Sequence, residues 1–230
     1  EIDTPYVLET VRILATELQV PLLAFAGAPF TVGSYLVEGK PSRDHLITKQ
    51  MMHTDTALWN QLMQRLAEHA VASIGSQLDA GAVAFQLFDS WAGNLTVDEY
   101  RQHVLPFSTF VFDQLASSHP HARGIHFGLG CDHLLELMQQ AGATIIGLDW
   151  RTSISDARKR LGADTVIQGN LNPEFVLGDV ATAIAGTDRV LADNAGNPAH
   201  IFNLGHGVQP ATNPEVLAAI VHHVHERTAQ

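Results

Sequence analysis

The chain has 230 residues, 46% hydrophobic and 16% charged, a balance that excludes an intrinsically disordered polymer and suffices for one large domain or two small ones. Thirteen Lys and Arg against 24 Asp and Glu leave a formal net charge of −11, so a basic nucleic-acid face is not expected. No run approaches the roughly 20 apolar residues that cross a bilayer, and the single cysteine, Cys131, excludes an internal disulfide or a Cys-rich zinc site and fits a reducing cytosol.

The opening EIDTPYVLET has no basic n-region, no apolar h-region and no Met; it reads as a chain without a signal peptide, cut from something longer. Thr4-Pro5 places a capping side chain before a proline at the first helical position, as do Asn172-Pro173 and Asn213-Pro214 further on. Over 55–79, Leu58, Leu62, Leu66, Ala70, Ile74 and Leu78 recur every four residues, which predicts a long helix with one apolar face. Thr96 and Glu99 form a capping-box pattern. Three segments repeat one theme, a helix ended by glycine and followed by a short apolar strand: QLDAGAVAFQLF at 77–88, QQAGATIIGLD at 139–149 and KRLGADTVIQG at 159–169. Gly81, Gly142 and Gly162 stand where a left-handed residue after a helix is needed.

The pattern gives six strands, near 21–26, 82–87, 122–127, 144–148, 164–168 and 199–204. Helices fall near 5–19, 42–50, 54–79, 95–118, 131–141, 153–161, 173–193 and 213–227. Alternation of this kind predicts an α/β fold with a parallel sheet in a single domain, wound either as a TIM barrel or as a doubly wound sheet. The nearest dinucleotide fingerprint, Gly128-Leu129-Gly130, has His133 in place of its third glycine and reads as a tight turn. The barrel reading meets a shortage, because six strands do not close an eight-stranded barrel.

In such folds chemistry gathers beyond the C-terminal ends of the strands. Those ends read GAPFT, QLFDSWAG, HFGLG, GLDW, QGNLNP and NLGHG, and they carry Gln86, Asp89, Ser90, His126, Asp149, Gln168, Asn170, Asn203 and His206. The expectation is that these polar groups converge on one face. A hydrolase drawn from Ser90, His206 and Asp89 or Asp149 lacks the G-x-S-x-G elbow. A metal site drawn from His126, Asp149 and His206 lacks recognisable ligand spacing.

Taken together, GAPFT with SYLVEG, FQLFDSWAG, IHFGLG, IGLDW, IQGNLNP and FNLGHGVQPATNPE resemble uroporphyrinogen decarboxylase over nearly the whole chain. The resemblance implies a TIM-type (β/α)8 barrel with about six of its eight strands present. The chain would then be the C-terminal two-thirds of a cytoplasmic homodimeric enzyme. It implies cofactor-free and metal-free decarboxylation of the four acetate side chains of uroporphyrinogen III to coproporphyrinogen III, in porphyrin and haem biosynthesis. Tyr35, Ser90 and His206 match family residues that contact the substrate, and His206 lies between Gly205 and Gly207, which let backbone approach a ligand closely. The family's aspartate and its arginine-rich segment have no counterpart in this sequence. The catalytic residues are therefore left unassigned, and the chain alone is expected to be nearly inactive.

Spacing does not single out any of Arg43, Arg101, Arg123, Arg151, Arg158, Arg160 or Arg189 as a replacement cation. Two other readings stand beside this one. The first is a cobalamin-linked, zinc-dependent methyltransferase of the same superfamily, for which His126-Phe127-Gly128 lacks the cysteine of its H-x-C pattern. The second is a non-catalytic α/β scaffold.

Overall fold

The computed structural model describes residues 4–229. Six strands form one parallel sheet: β1 (Leu23–Gly27), β2 (Ala84–Phe88), β3 (Arg123–Phe127), β4 (Ile145–Gly147), β5 (Val166–Leu171) and β6 (His200–Leu204). They hydrogen-bond in strict chain order. A doubly wound sheet reverses its order at a switch point, whereas a barrel does not. The sequential order therefore chooses barrel-type winding between the two possibilities. The sheet is also curled: the Gln168 amide donates to the Gln86 side-chain oxygen at 3.0 Å. Those residues sit on β5 and β2, three strand spacings or about 14 Å apart in a flat sheet. Among the described residues β1 and β6 each keep one unpaired edge.

Ten helices accompany the sheet among the described residues: α1 (Pro5–Glu17), α2 (Pro29–Glu38), α3 (Leu46–Thr54), α4 (Thr56–Asp79), α5 (Val97–His103), α6 (Leu105–Ser118), α7 (Leu135–Gln140), α8 (Ile154–Leu161), α9 (Val180–Asn194) and α10 (Pro214–Thr228). Strand parity separates two layers, because successive side chains point to opposite faces. Ala24, Phe85, Leu87, His126, Ile146 and Ile167 are buried. The alternate set, Phe25, Phe88 and Phe127, forms an edge-to-face aromatic row with ring centroids 6.0 and 5.9 Å apart. That row faces the concave side, and Phe25 at the open edge is 63% exposed.

The cap signals hold in part. Thr96 and Glu99 make both bonds of a capping box, and Asn172, Asn213 and Ser153 each accept from a backbone N–H of the turn they begin. Thr4 makes no side-chain cap, although Pro5 does begin α1. Gly81, Gly142 and Gly162 all have positive φ. Gly162, at φ 103° and ψ 148°, lies in a glycine-only extended region rather than the left-handed helical one.

Three helix expectations are corrected. Residues 29–38 form α2, where no helix was expected. Ala28 offers no capping side chain, and Thr31, Val32 and Gly33 are weak helix formers. Packing supplies what propensity lacks: a Cβ at Gly33 would touch Leu66 at 3.3 Å, so glycine lets α2 lie against α4. The expected helix 95–118 is two helices, divided at Val104 ahead of Pro106. The expected helix 173–193 is a 3-10 turn over Pro173–Leu177 followed by α9, with Gly178 between them. On α4 the buried residues are Trp59, Met63, Ala67, Ala70, Ile74, Gln77 and Leu78, while Leu58 is 50% exposed. A strict four-residue repeat drifts by about 40° per step around a helix of 3.6 residues per turn, so the row starts off the buried face at Leu58 and winds onto it by Ala70, Ile74 and Leu78.

Candidate active site

The strand ends open onto a cavity of about 360 Å³. Its floor is the concave sheet face, with Gln86, Phe88, Phe127 and Gln168; its rim is the segment after β6, with Asn203 and His206; α10 closes one side with Leu217 and Ile220. The polar content is two glutamines bonded to each other, one asparagine and one histidine. His206 is exposed, and its ring stands edge-on to Trp150 at 6.2 Å.

The expectation that all strand-end polar groups converge on one face is corrected. Asp89 and His126 are fully buried, one residue out of phase with the cavity-facing Phe88 and Phe127. Asp89 Oδ1 accepts from the Thr31 hydroxyl at 3.0 Å, and its Oδ2 lies 3.8 Å from His126 Nε2. Asp149 is buried too, and accepts from Gly130 N at 2.7 Å, from Arg151 N at 3.0 Å and from the Arg151 guanidinium at 2.7 Å. The Asn170 amide ties down the carbonyls of Asp149 and Thr152. Asp89, Asp149 and Asn170 brace the loops that frame the cavity, and His126 is enclosed behind Asp89. Gln86, Gln168, Asn203 and His206 line it.

Tyr35 sits near the end of α2, half exposed, with its ring stacked on Trp91 at 3.8 Å and 27°. Ser90, partly buried, lies between Asp89 and Trp91 in the turn after β2. Tyr35 and Ser90 thus share one neighbourhood around Trp91, while His206 belongs to the cavity rim beside Trp150. All three stand at the C-terminal end of the sheet. The glycines around His206 act differently from expectation: a Cβ at Gly205 would collide with the Trp150 backbone, so Gly205 lets the β6 and β4 ends close on each other, whereas Gly207 faces open space.

Two residues that the strand-end motifs did not single out stand beside the rim, in a neighbouring hollow that they line with Asn170 and Arg189. Trp150 follows Asp149 in GLDW, and Arg151 lays its guanidinium 3.8 Å over the Trp150 ring. Both distances run from the Trp150 ring, so the guanidinium lies no more than about 10 Å from the His206 ring. Other arginines are engaged elsewhere: Arg101 with Asp98, Arg160 with Asp132 and Glu136, and Arg158 with the carbonyls of Ala163, Thr165 and Ala199. Arg189 lies over the Phe175 ring.

The GxG segment is a tight turn, with Gly130 at φ 64°, and His133 bonds the Leu95 carbonyl. Cys131 is buried, and its thiol is pushed well above the usual range by burial first and then by Asp89 and Asp149. A neutral thiol and an enclosed His126 are poor donors for zinc. Among the described residues no three His, Cys, Asp or Glu side chains are placed to hold a metal ion.

The sequence profile described as "Uroporphyrinogen decarboxylase (URO-D)" matches residues 1–227. The chain belongs to the uroporphyrinogen decarboxylase family. Among curated proteins it is 48% identical over 229 residues to the uroporphyrinogen decarboxylase of Salinispora tropica, covering 99% of this chain and 61% of that protein. It is 48% identical over 230 residues to the one from Streptomyces griseus, covering 99% and 62%. Against that of Thermobifida fusca it is 45% identical over 228 residues, covering 99% and 63%. The chain thus spans about three-fifths of the length of these uroporphyrinogen decarboxylase relatives.

Proposed function

We propose that the chain forms the larger, C-terminal part of a uroporphyrinogen decarboxylase, which removes the acetate carboxyls of uroporphyrinogen III to give coproporphyrinogen III in haem biosynthesis. The observation that carries the reading is the cavity at the strand ends with His206 on its rim, in a chain that matches the family from end to end. The concave sheet with two unpaired edges supports a barrel completed by two further strands. The family's homodimer with facing clefts, in the cytosol, belongs to the same proposal.

A pyrrole acetate loses CO2 only when the electrons left behind have a sink, and protonating the ring carbon creates one. Catalysis then needs a proton donor and a fixed negative charge beside the cationic ring. We assign that charge, and the arginines of the resemblance, to the part of the relatives that this chain does not span. The residues present here orient the substrate. The cavity takes one portion of the macrocycle against Phe88 and Phe127, and the rest lies across the mouth. His206, Tyr35 and Ser90 then address the carboxylate arms. Net charge is −11, so long-range attraction of a polycarboxylate is unavailable and local cations must act. Arg151, pinned by Asp149 and stacked on Trp150, is a guanidinium that stands beside the rim, in the neighbouring hollow.

The test is titration of the 230-residue chain with uroporphyrin, followed by fluorescence. Wild type binds, His206→Ala and Tyr35→Phe each weaken binding by about tenfold, and turnover of uroporphyrinogen by the chain alone is negligible. No binding, or binding unchanged in both variants, supports the scaffold reading instead.

A further inference from the structure

Thr31 makes an unusual use of its hydroxyl. Thr10, Thr54, Thr187 and Thr228 each return theirs to the carbonyl four residues back in their own helix. Thr31, in the first turn of α2, reaches across to the turn after β2. Its hydroxyl donates to Asp89 Oδ1 at 3.0 Å and its oxygen accepts from Trp91 N at 3.3 Å. A backbone N–H only donates, so the polarity of this chain is fixed: Trp91 N–H to Thr31, Thr31 O–H to Asp89.

The same tryptophan grips α2 a second time. Thr31 and Tyr35 are four residues apart and share one helix face. The Trp91 backbone holds the first, and the Trp91 ring stacks on the second at 3.8 Å. The His45 ring lies 4.5 Å from Trp91 as well, so the indole is enclosed by two rings. Ser90 stands between the two anchored residues, Asp89 and Trp91.

Behind Asp89 lies His126, fully buried, with neither ring nitrogen bonded and Nε2 3.8 Å from Asp89 Oδ2. Asp89 Oδ2 has no hydrogen-bond partner among the described residues. A buried carboxylate is costly unless it is met by donors. His126 Nε2 stands 3.8 Å from it, and a movement of under about 1 Å brings the pair into hydrogen-bond range.

We propose that Thr31, Asp89 and His126 are positioning residues: they set the Ser90–Trp91 turn and, through the indole, the Tyr35 ring, so that the two hydroxyls are presented together to a carboxylate arm of the substrate. This rests on the reading that Tyr35 and Ser90 face a polycarboxylate tetrapyrrole. None of the three touches the cavity; they act through Trp91.

The decisive variant is Thr31→Val, which keeps shape and removes the hydroxyl, with Thr31→Ser as the conservative rescue. Two readouts apply to the whole chain. One is the near-ultraviolet circular dichroism of the Tyr35–Trp91 stack without ligand; the other is uroporphyrin affinity. Expected for Thr31→Val is loss of the stack signal and about tenfold weaker binding, at an unchanged far-ultraviolet spectrum. Thr31→Ser restores both. If Thr31→Val does not fold, His126→Gln takes its place and must disturb the stack signal while Thr31→Ser does not. A wild-type stack signal in Thr31→Val, or in His126→Gln when that variant decides, overturns the proposal. If wild type binds no uroporphyrin, the functional reading fails, while the stack signal still decides whether these residues position Tyr35.

Discussion

His45, His103 and His200 share one physical situation. Burial is the first cause in each that holds the imidazole below its usual 6.5. For His200 the bond to the Gly169 carbonyl, at 2.7 Å, pulls the other way, and Arg158 adds to the lowering. In the unfolded chain these rings take protons at a higher pH than in the folded one. Stability is therefore full above about pH 7 and drops as pH falls through 6.5 and below, by up to about 1.4 kcal/mol per pH unit for each ring that stays neutral. Thermal unfolding measured from pH 8 to pH 5 should show a flat region and then a fall, and His200→Gln should reduce the fall. A midpoint that does not move across that range contradicts the reading of these sites.

At the scale of elements, what was legible from the chain is whatever local rules decide. The glycines at 81, 142 and 162 mark helix ends because a positive φ is hard for any other residue, and the runs after them are strands. The Thr96–Glu99 capping box is equally local. Helix α2 was not legible, because its stability comes from the contact of Gly33 with Leu66 on another helix rather than from its own residues. The site shows the same division. The strand-end motifs located the cavity, but not which residues face it. Parity would have told: Gln86 and Phe88 alternate inward, so Asp89 turns away, and with Phe127 inward His126 turns away as well. The placing of Trp150 and Arg151 beside the rim depends on the segments after β4 and β6 meeting at Gly205, a long-range contact that no spacing records.

Arg158 is the element-scale counterpart of these loops. Its guanidinium donates to Ala163 O at 3.2 Å, Thr165 O at 2.8 Å, Asn194 Oδ1 at 3.1 Å and Ala199 O at 2.7 Å, tying α8, the approaches to β5 and β6, and the end of α9. Arg158→Ala leaves Thr165 O and Asn194 Oδ1 without their donor, while Ala163 O keeps Asn197 Nδ2 and Ala199 O keeps Ile167 N, and should cost about 2–4 kcal/mol, read as a shift of the urea midpoint. Lysine, with no planar fork, should recover less than half of the loss. A variant as stable as wild type would show that these bonds contribute nothing net.

Across the whole molecule the organisation is polarised. Helices bury the convex side of the sheet, the concave side carries an aromatic row, and the segments that follow the C-terminal strand ends, α2 included, hold every residue proposed for substrate contact. The edges at β1 and β6, with Leu23, Phe25 and Ile201 exposed, fit a sheet that two further strands would close. The proposed function does not need the chain to turn over substrate by itself; it needs the strand ends to recognise a tetrapyrrole.

Hydrogen–deuterium exchange of the chain with and without uroporphyrin tests that requirement most directly. The account predicts ligand-dependent protection in the segments around 27–35, 86–93, 147–151 and 203–208, with the helices on the convex side unchanged. Protection confined to those helices or to the opposite ends of the strands, or no protection at saturating uroporphyrin, would contradict it.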